Sequence, residues 1–145
     1  MNNILALFDL DHTLIPADSD LCWTKFLIDK GVIEKENTRV NENFFTQYND
    51  GCLDIYEFLS FQLKPLSSIP RAKLTSLRNE FIEKSILPII TPNARKIVNN
   101  HLNKGDLCAI VTATNEFITE PISKIFKIPT LIATKLETHP SGDFT

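Results

Sequence analysis

The chain has 145 residues, a formal net charge of −3 and 43% hydrophobic residues, values typical of an ordinary globular domain. Its basic residues are scattered among acidic ones, which argues against a nucleic-acid-binding surface. No apolar run approaches the roughly 18 residues of a membrane span, and no basic segment of an export signal precedes the first apolar run. We therefore expect a cytoplasmic protein that acts on a small molecule.

The cysteines bear on location and on metal binding. They are three in number and far apart: Cys22, Cys52 and Cys108. No C-x-x-C pair occurs, and the three histidines lack the spacing of metal ligands. The pattern favours reduced, structural thiols over disulfides or a zinc-type site.

The first predicted element is a strand over residues 4–8, a continuous apolar run that we expect to be buried. From about residue 16 to residue 88 the apolar residues follow the helical period, which predicts four helices and no strand. The sequence marks their limits as Asp18 or Ser19 to Gly31, a segment ending at the sequence NDG, Asp54 to Pro65, and a start near Arg71.

The elements after this helical region alternate between helix and strand. Residues 91–105 have a threonine N-cap, a proline at the first helical position and a glycine stop, which predict a helix. LCAIV (107–111) predicts a second buried strand, followed by a helix to about Phe126 and a third strand, TLIAT (130–134). This order predicts an α/β core with a parallel sheet over 1–14 and 92–145, interrupted by an all-helical cap over 15–91.

Two aspartates, Asp9 and Asp11, follow the first predicted strand directly, and Thr112 lies at the end of the second. Ligands of open parallel sheets bind at the carboxyl ends of the strands, so these residues are expected in one crevice. Alternate residues of a continuing strand point to opposite faces, so the chain must turn after Asp9 for both carboxylates to face one ligand. A D-x-D pair by itself also occurs in solvated turns.

Two carboxylates at this spacing repel each other unless a cation neutralises them, and their hard oxygen atoms favour Mg²⁺. A carboxylate can also attack phosphorus while its neighbour transfers the proton of the leaving group and then that of water. The first interpretation indicates a metal site, and the second indicates chemistry on a phosphate group.

The sequence FDLDHT resembles the first motif, D-x-D-x-T, of the haloacid dehalogenase-like superfamily, and IVTATN is similar to its second motif. The helical insertion lies where that superfamily carries its cap, and residues 4–145 resemble the phosphoserine phosphatase-like branch. The resemblance implies a Rossmann-like parallel sheet core with an inserted helical cap. It also implies a Mg²⁺-dependent phosphatase that acts on a small phosphorylated metabolite through an aspartyl-phosphate.

The resemblance also implies roles for individual residues. Asp9 would be the nucleophile and a Mg²⁺ ligand. Asp11 would be the general acid and base and would lend its backbone carbonyl to the same metal ion. Thr112 would bind the phosphoryl oxygens, helped by backbone N–H groups near Ala113 and Thr114.

Asp18 follows the nucleophile by nine positions, where phosphoserine phosphatases carry an acidic residue that binds the substrate amine. The alternative for Asp18 is a helix N-cap or first-turn acid. Thr112 has a similar alternative, as N-cap of the helix that follows it.

The family pattern also contains a lysine and an acidic pair at the end of a further apolar strand, and SGDF (141–144) is interpreted as a hairpin turn rather than that pair. The 145-residue chain is therefore expected to be a poor catalyst. A phosphotransferase or phosphomutase of the same superfamily, and a non-catalytic binding protein derived from such an enzyme, remain as alternatives.

Overall fold

A computed structural model describes residues 4–145, so residues 1–3 of the predicted core lie outside it. Residues 4–145 contain three strands and six α-helices. The strands are β1 (Leu5–Phe8), β2 (Leu107–Asn115) and β3 (Thr130–Thr134), and the helices are α1 (Ser19–Asp29), α2 (Glu36–Asn49), α3 (Ile55–Ser68), α4 (Arg71–Phe81), α5 (Pro92–Asn103) and α6 (Glu116–Ile125). No helix within residues 4–145 has the length and apolarity needed to cross a membrane, and the cytoplasmic location stays a prediction.

The sheet has the order β1-β2-β3, and both strand pairs are parallel. In register, Leu5 lies opposite Leu107, and Ala109 lies opposite Thr130. Helices α5 and α6 both pack against β2, and α6 also packs against β3. The predicted α/β class with a parallel sheet is confirmed.

The prediction that the first strand is buried is wrong for one of its faces. Leu5 and Leu7 are each 59% exposed, whereas Cys108, Ala109 and Ile110 in the middle of β2 are buried. The register places the exposed apolar side chains of all three strands on the same face: Leu5, Leu7, Leu107, Val111 and Ile132. The three strands follow one another across the sheet in chain order. Connections between parallel strands have the same handedness, so in such a sheet their helices lie on the same face. Helices α5 and α6 therefore cover one face and leave the other open.

The helical region contains the four predicted helices, but α3 does not stop at Pro65. This proline lies inside α3, which continues to Ser68. Buried Leu66 holds the last turn against its neighbours, and the hydroxyl groups of Ser67 and Ser68 donate to the Lys64 carbonyl at 3.1 and 2.7 Å. The burial of Leu66 stabilises this turn although the proline removes one backbone donor.

Contacts divide the chain into two compact units. The first contains the described residues up to Ser19 together with Arg78–Leu136, and the second contains Asp20–Leu77 and Glu137–Thr145. The sheet and helices α5 and α6 belong to the first unit. The division into a core over 1–14 and 92–145 and a helical cap over 15–91 stays a prediction.

The segment SGDF forms the predicted hairpin turn, with an antiparallel bridge between Thr138 and Phe144. The hairpin presents Asp143 to the start of α4 within the second unit, where its Oδ1 accepts the Arg71 backbone N–H at 2.8 Å. The Arg71 guanidinium carbon also lies 4.0 Å from the centroid of the Phe144 ring. Hydrogen bonds to its carboxylate lower the pKa of Asp143. The backbone hydrogen bond from Arg71 has the largest effect, and the hydrogen bond from the Ser141 hydroxyl has the second largest.

Candidate active site

The chain turns sharply after β1, as the D-x-D spacing requires. The Leu10 carbonyl accepts the N–H groups of Thr13, Leu14 and Ile15 at 3.2, 3.0 and 3.1 Å, which folds the loop around one oxygen atom. His12 has a φ of 55°, in the left-handed region that a non-glycine residue adopts at a cost. Leu10, Leu14 and Ile15 are buried and anchor the turn, whereas His12 and Thr13 between them are exposed.

Asp9, at the end of β1, is exposed and makes its side-chain hydrogen bond within the same turn. Thr13 Oγ1 donates to Asp9 Oδ2 at 3.0 Å. Among residues 4–145, no hydrogen bond reaches Asp9 Oδ1. One oxygen atom of this carboxylate is therefore oriented by the turn and the other is available to a ligand.

Asp11 is part-buried, and both oxygen atoms of its carboxylate accept hydrogen bonds from the protein. The Ser19 backbone N–H donates to Oδ1 at 2.7 Å, and Thr114 Oγ1 donates to Oδ2 at 2.8 Å. Ser19 Oγ lies 3.5 Å from Thr114 Oγ1. The hydrogen bond to Thr114 joins the turn after β1 to the end of β2, so the structure brings the ends of these two strands together.

The end of β2 departs from regular pairing at the residues predicted to bind phosphate. Val111 pairs with Ile132 and Asn115 with Thr134, with a register shift between the two pairs. Within the shifted stretch, Thr112 Oγ1 accepts the Thr114 N–H at 3.2 Å, and the Ala113 carbonyl accepts the Thr134 hydroxyl at 2.6 Å.

The cap of α6 is Asn115, whose Oδ1 accepts the Ile118 N–H at 3.1 Å. The alternative interpretation of Thr112 as that cap is therefore wrong. Thr112 is half-buried and its hydroxyl lies in the shifted stretch of β2. Its predicted role in phosphate binding stays a prediction.

Asp18 directly precedes α1 and is half-buried. This position suits a helix cap as well as a residue at the edge of the site. Binding of a substrate amine by Asp18 therefore stays a prediction.

Residues 6–145 match the haloacid dehalogenase-like hydrolase family. The chain belongs to this family. The predicted resemblance to this family is confirmed, whereas the roles of Asp9 and Asp11 in its first motif stay predictions.

Three proteins are similar to this chain in sequence or in fold. It is 42% identical over 142 residues to the histidinol-phosphatase of Neisseria meningitidis serogroup C (strain 8013), which covers 97% of this chain and 64% of that protein. It superimposes with a TM-score of 0.92 on a protein of unknown function from Bordetella pertussis Tohama I, at 41% identity over 100% of this chain and 66% of that one. The chain therefore spans just under two thirds of the length of these two relatives.

The third protein is a phosphoserine phosphatase solved as a phospho-aspartyl intermediate analogue. It gives a TM-score of 0.64 at 19% identity, over 100% of this chain and 62% of that one. At this identity the similarity concerns the fold, which is that of a phosphoserine phosphatase-like haloacid dehalogenase core.

The donor atoms of the first motif fit part of a Mg²⁺ site. Asp9 Oδ1 and the Asp11 backbone carbonyl are hard oxygen atoms, and within residues 4–145 no N–H group donates to that carbonyl. The two side-chain oxygen atoms of Asp11 already accept hydrogen bonds, so its carbonyl suits the metal better than its carboxylate. No group of three or more metal-binding His, Cys, Asp or Glu side chains occurs within the same residues.

Sequence reasoning missed the two groups that hold the Asp11 carboxylate. It assigned to Thr114 only a backbone N–H, whereas the hydroxyl group makes the contact. The spacing of Thr112 and Thr114 offered a signal, because residues two apart in a strand share a face. The Ser19 N–H offered none, since every residue except proline carries the same group.

Proposed function

We propose that this chain carries the catalytic site of a Mg²⁺-dependent phosphomonoesterase that works through an aspartyl-phosphate on Asp9. The observation that supports this most is the unequal setting of the two carboxylates. Asp9 is exposed with one oxygen atom open to a ligand, and Asp11 is held on both oxygen atoms. An open carboxylate suits attack on phosphorus, and a fixed carboxylate suits proton transfer.

In the proposed reaction, an Asp9 oxygen atom forms a bond to phosphorus while the bond from phosphorus to the ester oxygen breaks. Protonated Asp11 gives its proton to that departing oxygen, which leaves as an alcohol. Ionised Asp11 then takes a proton from water, whose oxygen attacks the phosphorus of the aspartyl-phosphate. The bond between phosphorus and the Asp9 oxygen breaks as inorganic phosphate leaves, so ionised Asp9 and protonated Asp11 are restored.

Mg²⁺ would be held by the Asp9 carboxylate and the Asp11 carbonyl, and when bound it would reduce the repulsion between the anionic phosphate and the carboxylates. The chain's own hydroxyl and N–H groups near Thr112 and Ala113 would orient the phosphoryl oxygens. The register shift at the end of β2 supports this role, because it takes that stretch of β2 out of regular pairing with β3.

For the substrate, we propose a small phosphate ester that carries an amino group. Two observations support it: Asp18 lies at the start of α1, and the Neisseria relative is named a histidinol-phosphatase, an enzyme for the phosphate ester of an amino alcohol. Histidinol phosphate is the first compound to test, with phosphoserine beside it and a phosphate ester without an amine as the comparison.

The central test is turnover by the natural full-length protein and by its Asp9→Asn variant. Asparagine has nearly the same shape but is a very poor nucleophile, so we expect turnover to fall by several orders of magnitude with little change in the unfolding temperature. Thr13→Val is a matched control that removes the donor to Asp9 and keeps the carboxylate, and it should lose less activity. Phosphate release by Asp9→Asn near the wild-type rate would refute the assignment.

The same assay separates the alternatives. A phosphotransferase or phosphomutase would transfer phosphate to an added alcohol in preference to water, whereas a phosphatase releases inorganic phosphate. A non-catalytic binding protein would retain ligand and release no phosphate at all.

The test of Asp18 compares Asp18→Asn with Asp18→Ala, which removes both the charge and the capping oxygen atom. Asparagine caps helices as well as aspartate does but carries no charge, so it keeps a structural role and removes recognition of an amine. We expect Asp18→Asn to raise KM for amine-bearing esters only. If it leaves the substrate ranking unchanged, Asp18 acts as a cap.

A further inference from the structure

We infer that Thr114 is a positioning residue, whose hydroxyl group fixes the Asp11 carboxylate for proton transfer. The inference rests on the proposed role of Asp11 as general acid and base. It adds a residue that the first-motif pattern does not contain, located 103 positions further along the chain.

The geometry around Asp11 requires a second donor. The terminal torsion of an aspartate side chain is broad, so a single hydrogen bond leaves the carboxylate free to rotate about its last bond. The Ser19 N–H holds Oδ1 at 2.7 Å, and the Thr114 hydroxyl holds Oδ2 at 2.8 Å. The two donors act on different oxygen atoms and together define the plane of the carboxyl group.

The two donors differ in what they tolerate. The Ser19 N–H can only donate, so the oxygen that it faces must keep a lone pair whatever the protonation state. A hydroxyl group both donates and accepts, so Thr114 can donate to the ionised carboxylate and accept from the protonated acid. A group that exchanges its proton twice per turnover needs a partner of this kind.

The Thr114 side chain is itself well placed for the task. It is 5% exposed, and its backbone N–H donates to Thr112 Oγ1 at 3.2 Å. An ionised carboxylate only accepts, so the Thr114 hydroxyl donates to Asp11 and receives the Ser19 hydroxyl at 3.5 Å. While Asp11 is ionised, this arrangement leaves one direction for the proton of Thr114.

The experiment compares two substrates of the natural full-length protein and uses kcat/KM, which reports the steps up to departure of the leaving group. An alkyl phosphate needs a proton on its leaving oxygen, whereas p-nitrophenyl phosphate leaves as a stable phenolate. Thr114→Val removes the hydroxyl group at nearly constant volume. We expect it to lower kcat/KM by roughly 10- to 100-fold for the alkyl ester and by much less for the aryl ester.

Two variants complete the test. Thr114→Ser keeps a hydroxyl group and should restore most of the alkyl-ester activity. Thr119→Val is the matched control, because Thr119 is also buried but donates to the Asn115 carbonyl at 3.0 Å and not to Asp11. It should change the unfolding temperature without changing the ratio of the two substrates.

Equal losses on both esters in Thr114→Val, or no loss on either, would overturn the positioning role. Asp11→Asn distinguishes this failure from failure of the proposed function. If Asp11→Asn lowers alkyl-ester activity selectively and Thr114→Val does not, Asp11 keeps its role and Thr114 loses the one inferred. If Asp11→Asn shows no selectivity, both are overturned.

Discussion

Asp9 and Asp11 carry the same functional group two residues apart, and their surroundings give them different proposed tasks. Hydrogen bonds to a charged group contribute about 1.5–3 kcal/mol each, and Asp11 would break two of them to approach phosphorus. Asp9 keeps its single hydrogen bond to Thr13 and still offers its other oxygen atom. The energetic difference favours Asp9 as the nucleophile.

Replacement of Asp11 by asparagine tests the other half of this division. We expect Asp11→Asn to lower kcat by about 10²- to 10⁴-fold, the usual loss for a general acid or base, with a much smaller change in KM. The fold should persist, because the asparagine amide can donate to the Thr114 oxygen while its carbonyl accepts from Ser19. A variant whose only defect is a raised KM would contradict the role.

The cysteines allow a second prediction at the level of single residues. Burial raises the pKa of the Cys108 thiol, and the nearby Asp106 carboxylate raises it further, so little thiolate forms; Cys52 is exposed. We expect iodoacetamide at mildly alkaline pH to modify Cys52 well before Cys108, as measured by peptide mass spectrometry. The two rates should converge in denaturant; equal rates in the folded protein would show that Cys108 is accessible.

At the level of elements, the hairpin over residues 138–144 caps a helix that begins 72 positions earlier. Asp143 accepts the first N–H of α4, a group that has no partner within the helix. A negative charge at this end also interacts favourably with the helix dipole. The hairpin therefore stabilises the start of α4.

The lowered pKa of Asp143 makes this contribution depend on pH. A carboxyl group whose folded-state pKa lies below its unfolded value stabilises the fold fully above the unfolded value, near 4. The contribution is lost as the pH falls through the lower, folded-state pKa. We expect wild type to be more stable than Asp143→Asn at pH 7, with the difference shrinking as the pH falls below about 4.

Urea unfolding at a series of pH values measures this difference. Ser141→Ala is the matched control, because it removes the second-largest cause of the shift and leaves the Arg71 contact. It should give a smaller effect in the same direction. A difference between wild type and Asp143→Asn that stays constant down to pH 2 would count against the charged cap.

The elements that follow from local chemistry could be predicted from the sequence. The third strand lies at 130–134 as predicted, and α5 begins after Thr91, whose Oγ1 accepts the Ala94 N–H at 3.2 Å. Capping residues and apolar runs determine structure over a few neighbouring positions, so a short stretch of sequence contains all the information needed to predict these elements. The prediction that the third helix stops at Pro65 failed because the burial of Leu66, a tertiary effect, outweighed the local effect of the proline.

The site could be predicted only in part for the same reason. The positions of Asp9 and Asp11 after β1 follow from the order of elements. The prediction that the second strand ends at residue 111 is wrong, because β2 continues to Asn115 and Thr112 lies inside it. The hydroxyl contact of Thr114 and the register shift in β2 depend on which strands and loops meet in space. The capping role of Asp143 likewise needed the partner from α4.

At the level of the whole molecule, the open face of the sheet is the largest departure from the predicted core. Its five exposed apolar side chains share one face over three strands, and contiguous apolar surface of this kind promotes association. The same face would be buried by any polypeptide that packs on it. Solution behaviour of the 145-residue chain is therefore expected to depend on these side chains.

We expect the 145-residue chain to associate as its concentration rises, and the double substitution Leu5→Lys with Leu7→Lys to reduce that association. Both side chains are exposed, so the free energy of unfolding should change by no more than about 1 kcal/mol. Sedimentation velocity at several concentrations measures the effect. Tyr56→Lys is the control, since Tyr56 is an exposed side chain on α3 in the second unit. An equal effect of this substitution would show that added positive charge alone reduces association.

The stretch around Ala113 can also be described as surplus length in a strand. Between the two flanking pairs, the chain runs from 111 to 115 on β2 but only from 132 to 134 on β3. Deleting two of the intervening residues of β2 would give both strands the same number of residues between these pairs. Regular pairing of β2 with β3 could then continue up to the start of α6. Such a shortened chain would lose the irregular stretch that is proposed to bind phosphate, so we expect it to keep the sheet and to release no phosphate. The two extra residues would then be an insertion that adds the proposed binding stretch to an otherwise regular parallel sheet.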